Sequence, residues 1–485
     1  MNHRPRRPGA RTLGTPAALT ARPALIASLL FSVSCADRYP NSVFTRFTEF
    51  NRDIDYLFSI LIWLGTLVFV FVEAILLYTL VRFKRRRGAA EPKQVHGNTT
   101  LEILWTIIPA VVLVFIAVPT VRTIFRTQAK ARQGALEVTV IGHQWWWEFR
   151  YPDFTTRRPD GRVDTLVTAN ELYLPLGRTV NFTLRTTDVA HSFWIPQLSG
   201  KRDLLPNHTN YIWFTPDSVQ PNAWNGFCAE YCGASHANMR FRAFTVSAAD
   251  FEAWAQHQLT PAVFDAGPPM PQPGGPAVPP LPPGRPQTGA NTPINAPAAP
   301  ESTRGAATIQ GPPTAGRGAP RSPLGTASAA GGGGAGQQPT TPGLQFMGFA
   351  REALPEHAVP RTPLPRGLAF QDNLAGDAAR GGQLFASGMG GCIGCHAVRG
   401  VPTALGVIGP NLTHLGGRTT IGAGYYPNEP RYLARWIKNA RAMKPGVVMP
   451  ALGRNEYDPV TKQRLTAGLD DQQIADLVAY LLSLK

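Results

Sequence analysis

The stretch Cys228-Ala-Glu230-Tyr-Cys232-Gly-Ala-Ser-His236-Ala-Asn-Met239 sets two thiols, an imidazole and a thioether within twelve residues, and a second imidazole lies upstream at His191. Soft sulfur donors combined with imidazole suit copper. A mononuclear blue-copper site needs one Cys, two His and a weak Met, so here the second cysteine is surplus. Two thiolates can bridge two copper ions and leave one His for each. Met239 and the Glu230 main-chain carbonyl would then complete the two coordination spheres. Such a centre shares one electron between two metals, so little geometry changes on transfer. The alternatives are a Cys228–Cys232 disulfide, which leaves His236 and Met239 without a purpose, and structural zinc, which has no use for a thioether.

A second constellation, Cys392-Ile-Gly-Cys395-His396, has the spacing of c-type haem attachment. Two thiols add to the haem vinyl groups, and the adjoining His is held under the iron as an axial ligand. A zinc knuckle or a redox dithiol also shows Cys-x-x-Cys; the adjacent His and the export signal described below favour haem. The other axial ligand must come from elsewhere, and Met443, Met449 and His414 are the candidates. A Met/His pair raises the reduction potential relative to two imidazoles.

The chain that must position these groups has 485 residues, enough for about three domains. Its net charge of +16 first suggests a nucleic acid or an anionic membrane. The positive residues gather at Arg4, Arg6, Arg7 and Arg11 and from Arg82 to Arg87, with no nucleic-acid-binding fingerprint beside them. The charge therefore follows membrane topology, and nucleic acid is not an expected partner. Residues 1–35 read as an export signal: an Arg-rich start, an apolar stretch from Ala24 to Val33, and small residues before Cys35. Ser34-Cys35 also fits a lipoprotein cleavage site, although Ser32 stands where that pattern has Leu; lipidation of Cys35 and a plain signal both stay open.

Two long apolar runs follow, Tyr56 to Val81 and Ile103 to Val121, each long enough to span a bilayer. Arg82, Lys84, Arg85, Arg86 and Arg87 close the first run and place the short loop on the cytoplasmic side. A transmembrane hairpin is thus expected over 44–125, with everything after it outside. Glu73 within the first run is either a functional intramembrane acid or a packing position. Over 134–258, short β-type runs (Leu136–Ile141, Thr179–Thr183, Tyr211–Phe214) alternate with turn signals and predict an all-β sandwich or barrel, closed by a short helix over Ala248–Gln258. Residues 259–365 are dominated by Pro, Gly, Ala, Ser and Thr and predict a disordered tether spanning roughly 55 Å. Residues 367–485 regain helical patterning, with helices expected near Asp377–Phe385, Tyr432–Ala442 and Asp470–Leu482.

The Cys228–Met239 segment is similar to the copper A loop of cytochrome oxidase subunit II. Gly142-His143-Gln144-Trp145-Trp146-Trp147 resembles that family's aromatic cluster, and Leu101-Glu102-Ile-Leu-Trp105-Thr-Ile-Ile-Pro109 resembles the start of its second helix. The resemblance covers about Phe44 to Ala255. It implies a cupredoxin-like Greek-key barrel, with His191, Cys228, Cys232, His236, Met239 and the Glu230 carbonyl on the two coppers. It further implies that the Glu230 side chain reaches a magnesium at the interface with the catalytic subunit, and that electrons from cytochrome c arrive at Trp145. Glu102 matches the acid at the mouth of a proton channel, and Asp203 matches an acid near the magnesium region. By residue type alone, Glu102 reads as a membrane-interface carboxylate and the tryptophan triplet as packing.

The segment from about Ala369 to Lys485 resembles a small class I cytochrome c. That resemblance implies Met449, before Pro450 in an extended loop, as the second axial ligand; it leaves Met443 at a helix end and His414 peripheral. The whole is similar to subunit II of a caa-type haem–copper oxidase. The expected architecture is therefore multidomain and membrane-anchored: a transmembrane α-hairpin, an all-β cupredoxin-like barrel, a Pro/Gly-rich linker and an all-α cytochrome c domain. The implied function is electron transfer from fused haem c to copper A and on to the catalytic subunit, for oxygen reduction coupled to proton pumping. The implied partners are oxidase subunits I and III in a bacterial inner membrane, with cytochrome c or an upstream quinol–cytochrome c reductase as donor. Two other readings stay open. One is a copper A and haem c donor subunit in a nitric oxide reductase-like complex. The other is a copper-delivery protein, which gives no reason for covalent haem.

Overall fold

The computed structural model describes residues 41–84, 88, 94, 97–128, 134–158, 161–218, 222–262 and 346–485. The expected export signal with Cys35, most of the basic loop, and residues 263–345 of the expected tether lie outside the described residues.

Helix α1 (Glu49–Arg82) starts where the Thr48 side chain accepts from Asn51 N–H, an N-cap that satisfies one of the free amides of the first turn. Helix α2 (Thr99–Gln128) runs beside it. Both are long and apolar enough to cross a membrane, and the most apolar window of each is wholly unburied by protein. Apolar side chains with no protein cover require another apolar phase, and here that is lipid. The helices exceed the two expected runs at both ends. Beyond the apolar stretch, polar residues tie α1 to the next domain: Thr45, Thr48 and Asn51 donate to the carbonyls of Gln197, Leu198 and Pro196. Arg126 of α2 pairs with Asp53 of α1 at 2.9 Å.

Ten strands then form two five-stranded sheets. The first holds β3 (Val163–Ala169), β2 (Trp146–Arg157), β1 (Leu136–His143), β5 (Val180–Thr186) and β8 (Asn210–Phe214) in that spatial order. The second holds β4 (Glu171–Pro175), β10 (Arg240–Val246), β9 (Ala223–Cys228), β6 (His191–Trp194) and β7 (Arg202–Leu204). Parallel pairs β1–β5 and β4–β10 among antiparallel neighbours make the crossovers of a cupredoxin-like sandwich. Period-2 alternation sends Leu136, Val138 and Val140 of β1 and Trp147, Phe149 and Tyr151 of β2 into the core. There Phe241 of β10 meets Trp147, Phe149 and Phe193. Gly226 allows this, since a Cβ there would lie 2.2 Å from the Phe241 ring. Helix α3 (Ala248–Leu259), capped by Ser247, closes the domain with Phe251 and Trp254 buried.

The C-terminal domain is built on α4 (Ala378–Ala386), α5 (Pro430–Met443) and α6 (Asp471–Ser483). Asp377 caps α4, and Asp470 with Gln473 forms a capping box on α6. Gly381 lets α4 touch α6 backbone, because a Cβ there would fall 2.0 Å from Asp476 O. Arg380 grips the Asp476 carboxylate with two bonds of 2.9 Å beside that contact. All three helices lie where the sequence patterning put them.

Residues 346–365, which composition places in the disordered tether, are packed. Phe349 stacks on Phe244 and Tyr173, Leu354 and Ala358 are buried in the sandwich cluster, and Arg242 Nε donates to Ala358 O. Sparse apolar residues among prolines suffice here because the face of β4 and β10 supplies the missing half of the core.

Candidate copper and haem sites

The copper residues converge from three parts of the sandwich. His191 opens β6, Cys228 ends β9, and Cys232, His236 and Met239 lie on the loop from β9 to β10. Cys228 Sγ is 3.8 Å from His191 Nδ1 and 3.8 Å from Cys232 Sγ. Cys232 Sγ is 3.7 Å from His236 Nδ1 and 3.9 Å from Met239 Sδ. Glu230 O lies 3.2 Å from Cys228 Sγ. The two thiols thus sit at the middle, with an imidazole on either side. They are free, not a disulfide.

Electrostatics favour a cation between them. The hydrogen bond with Cys232, aided by His191, pushes the Cys228 thiol down to about 4, while the same partner drives the Cys232 thiol up. Two thiols this close resist losing both protons to water, and a positive metal between them would relieve that repulsion. Burial resists the charged form of His191, but the Asp188 carboxylate, 2.8 Å from its Nε2, raises its pKa overall and fixes the ring. Gly142 completes the seat, since a Cβ there would meet His191 Cδ2 at 2.7 Å.

The tryptophan triplet separates into three environments. Trp147 is fully buried in the core. Trp146 stacks on His143 with ring centroids 4.1 Å apart. Trp145 is half-buried against the copper loop, and its Nε1 donates to Cys232 O at 2.8 Å, where Gln144 Nε2 also donates. The Glu230 side chain is exposed beside the loop, and Asp203 is exposed on β7. Glu102 lies in the first turn of α2 and accepts from Asn98 N–H at 3.2 Å.

Cys392 and Cys395 form a single helical turn, Cys392–Cys395, and His396 follows in extended conformation. His396 Nδ1 is 2.7 Å from the Pro410 carbonyl, so that nitrogen donates and Nε2 keeps its lone pair. Burial lowers the His396 pKa, which favours the neutral ring that an iron ligand needs. Gly409 passes so close that a Cβ would lie 2.4 Å from the ring. Met443 is buried in the helical core, whereas Met449 stays half-buried outside it. His414 turns away to Thr260 O and the ring of His257. The residue types therefore fit both groups.

The sequence motifs include Gly142, Gly409 and Pro410, and Asp188 stands three residues before His191, but the residue pattern gives none of the four a role. Each acts through a contact that spacing does not encode.

Residues 48–123 match the family described as Cytochrome C oxidase subunit II, transmembrane domain, and residues 136–246 match its periplasmic domain. Residues 378–485 match Cytochrome c. A cytochrome c oxidase subunit 2 of Alkalihalophilus pseudofirmus is 29% identical over 86% of this chain and 83% of its own length, so the similarity runs through all three regions. A probable cytochrome c oxidase subunit 2 of Rickettsia bellii is 32% identical over 40% of this chain and 75% of its own. The subunit of Bacillus subtilis is 37% identical, and there this chain spans about half of the relative's length (52%). These names do not favour the nitric oxide reading. The domain matches imply copper A and haem c binding, and with two membrane-length helices they make the protein membrane-anchored with an outward domain. The chain belongs to the cytochrome c oxidase subunit II family, as a subunit of an oxidoreductase complex that carries its own C-terminal cytochrome c domain.

Proposed function

We propose that this chain is the electron-receiving subunit of a caa-type terminal oxidase in a bacterial inner membrane. The observation that carries this reading is the cluster of six ligand atoms around Cys228 and Cys232, on the same chain as the Cys392–His396 turn. When bound, a dinuclear copper A and a haem c supply one-electron carriage from an outside donor toward subunit I, where oxygen reduction is coupled to proton pumping.

The chain's own residues hold and orient these groups. Cys228, Cys232, His191, His236, Met239 and Glu230 O would hold the two coppers, the paired thiols with an imidazole on either side. Asp188 fixes the His191 ring, leaving Nδ1 toward the sulfurs. Cys392 and Cys395 would anchor the haem, while Pro410 O sets the His396 tautomer and leaves Nε2 free to bind iron. Met449 would supply the second haem ligand; the supporting contrast is Met443, which is buried in the helical core. Trp145 is where electrons reach the copper loop, supported by its hydrogen bond to Cys232 O. The exposed Glu230 carboxylate is free to reach a magnesium at the subunit I interface, and Glu102 stands at a proton-channel mouth on the cytoplasmic side. Subunit III and a cytochrome c or quinol–cytochrome c reductase donor complete the assembly.

Optical and paramagnetic spectra of the purified complex test the whole. Haem c, haem a and a mixed-valence copper signal should occur together, in a preparation that consumes oxygen. Nitric oxide turnover without oxygen consumption would overturn the proposal.

A further inference from the structure

The cytochrome domain sits directly on the copper domain, and one side chain bridges them at the tryptophan. Lys444 is 1% exposed. Its Nζ donates to Trp145 O at 2.7 Å on the copper domain and to Gly422 O at 3.1 Å on its own. Two residues on, Gly446 lies against the Trp145 ring so closely that a Cβ would meet an indole carbon at 2.6 Å and Ala234 at 3.3 Å. Between them, Pro445 O accepts from Ser235 Oγ, next to His236. The segment 443–449 ends on Met449, the proposed haem ligand, so one short loop joins that residue to the Trp145 contact.

The seam also runs along β4 and β10 and past the end of α3, where the Arg399 side chain donates to Gln258 O and the Arg399 carbonyl accepts from Ala262 N–H. Glu171 Oε1 accepts from Thr419 N–H and Oγ1–H, both at 2.6 Å, and Arg240 N–H donates to Ala423 O at 3.0 Å. These bonds help hold the cytochrome on the sandwich, and among the described residues the Lys444–Gly446 segment is the part of the cytochrome that meets the tryptophan.

We infer that Lys444 is a positioning residue that clamps the 443–449 loop on Trp145, with Gly446 as the close-approach point, so that the chain's own cytochrome delivers electrons there from a fixed docked geometry. This rests on the Trp145 reading above. A buried amino group that donates to one carbonyl from each domain is a distance constraint. Its removal leaves both carbonyls short of a donor and frees the loop to withdraw.

The test uses the full chain in its complex, with Lys444→Met, Lys444→Arg, Gly446→Val and Trp145→Phe. Two readouts are followed: the rate of haem-to-copper electron transfer after flash reduction, and hydrogen exchange at the Arg240 and Thr419 amides, which donate across the seam. Lys444→Met should slow the transfer about tenfold or more, make it depend on solvent viscosity, and speed exchange at both amides. Haem and copper spectra should stay native, and Lys444→Arg should restore part of the rate. A native rate with native protection in Lys444→Met overturns the inference. If Trp145→Phe slows transfer while Lys444→Met does not, the clamp alone falls. If neither does, the Trp145 reading falls with it. Should Lys444→Met fail to assemble, Gly446→Val decides: slowed transfer in a folded complex supports the clamp, and a native rate overturns it.

Discussion

The indole Nε1 of Trp145 donates to the main-chain oxygen of Cys232 at 2.8 Å, linking a half-buried aromatic ring to a residue whose sulfur lies at the middle of the copper cluster. The bond makes the ring and the copper loop one unit. Gln144 Nε2 donates to the same oxygen and braces it from the side.

Trp145→Phe keeps an aromatic ring and removes this donor. A neutral hydrogen bond of this kind contributes about 1 kcal/mol, so the fold should survive. The mixed-valence copper signal should persist, while reduction of copper by the haem slows. Paramagnetic resonance and flash kinetics on one sample check both halves.

Cys228→Ser removes one sulfur of the pair, and His236→Ala removes the imidazole beside the other. Either change should abolish the mixed-valence signal, because a shared electron needs both metals matched. Metal analysis should show copper content per chain falling, with haem content unchanged. A retained mixed-valence signal in Cys228→Ser would sink the bridging assignment.

Asp188→Asn keeps a hydrogen-bonding partner for His191 and removes the charge. Loss of such an outer partner typically weakens metal binding about 10- to 100-fold. Competition with a copper chelator should reveal that loss, and Asp188→Ala should be worse.

Gly381→Ala places a methyl where α4 and α6 backbones touch. Overpacking of this kind costs about 1–3 kcal/mol. The thermal transition followed at the haem Soret band should drop, while the copper signal should melt at its usual temperature.

Glu171 titrates at the seam. Burial raises its pKa, and the Thr419 hydrogen bonds offset that only in part. A carboxyl raised in the folded state holds its proton better there than in the unfolded chain. Its contribution is therefore full below the ordinary value of 4.5 and is lost as pH rises toward the folded pKa. Glu171→Gln should flatten that slope, read as protection of the Thr419 amide against pH. An unchanged slope would point to another group.

The chemistry was legible in the sequence because it is local there. Cys228 to Met239 and Cys392 to His396 are short segments whose residue types specify soft-metal and haem binding at close spacing, and the apolar runs in α1 and α2 are self-evident from length. The helices at 378, 430 and 471 and the β-texture of the middle domain follow from periodicity, which each element carries within itself. Tertiary structure decided what depends on residues far apart. His191 joins the cysteines only when β6 pairs with β9; Gly142, Gly409 and Pro410 act by lying against a histidine. The three adjacent tryptophans share one composition and differ only in what packs on them. The sequence also read residues 346–365 as free tether, because too few apolar residues are there to fold alone, but the face of β4 and β10 completes their core. Above all, Lys444 meets Trp145 across 299 positions of chain. No local pattern records that contact, since it exists only once two separately folded domains share a surface.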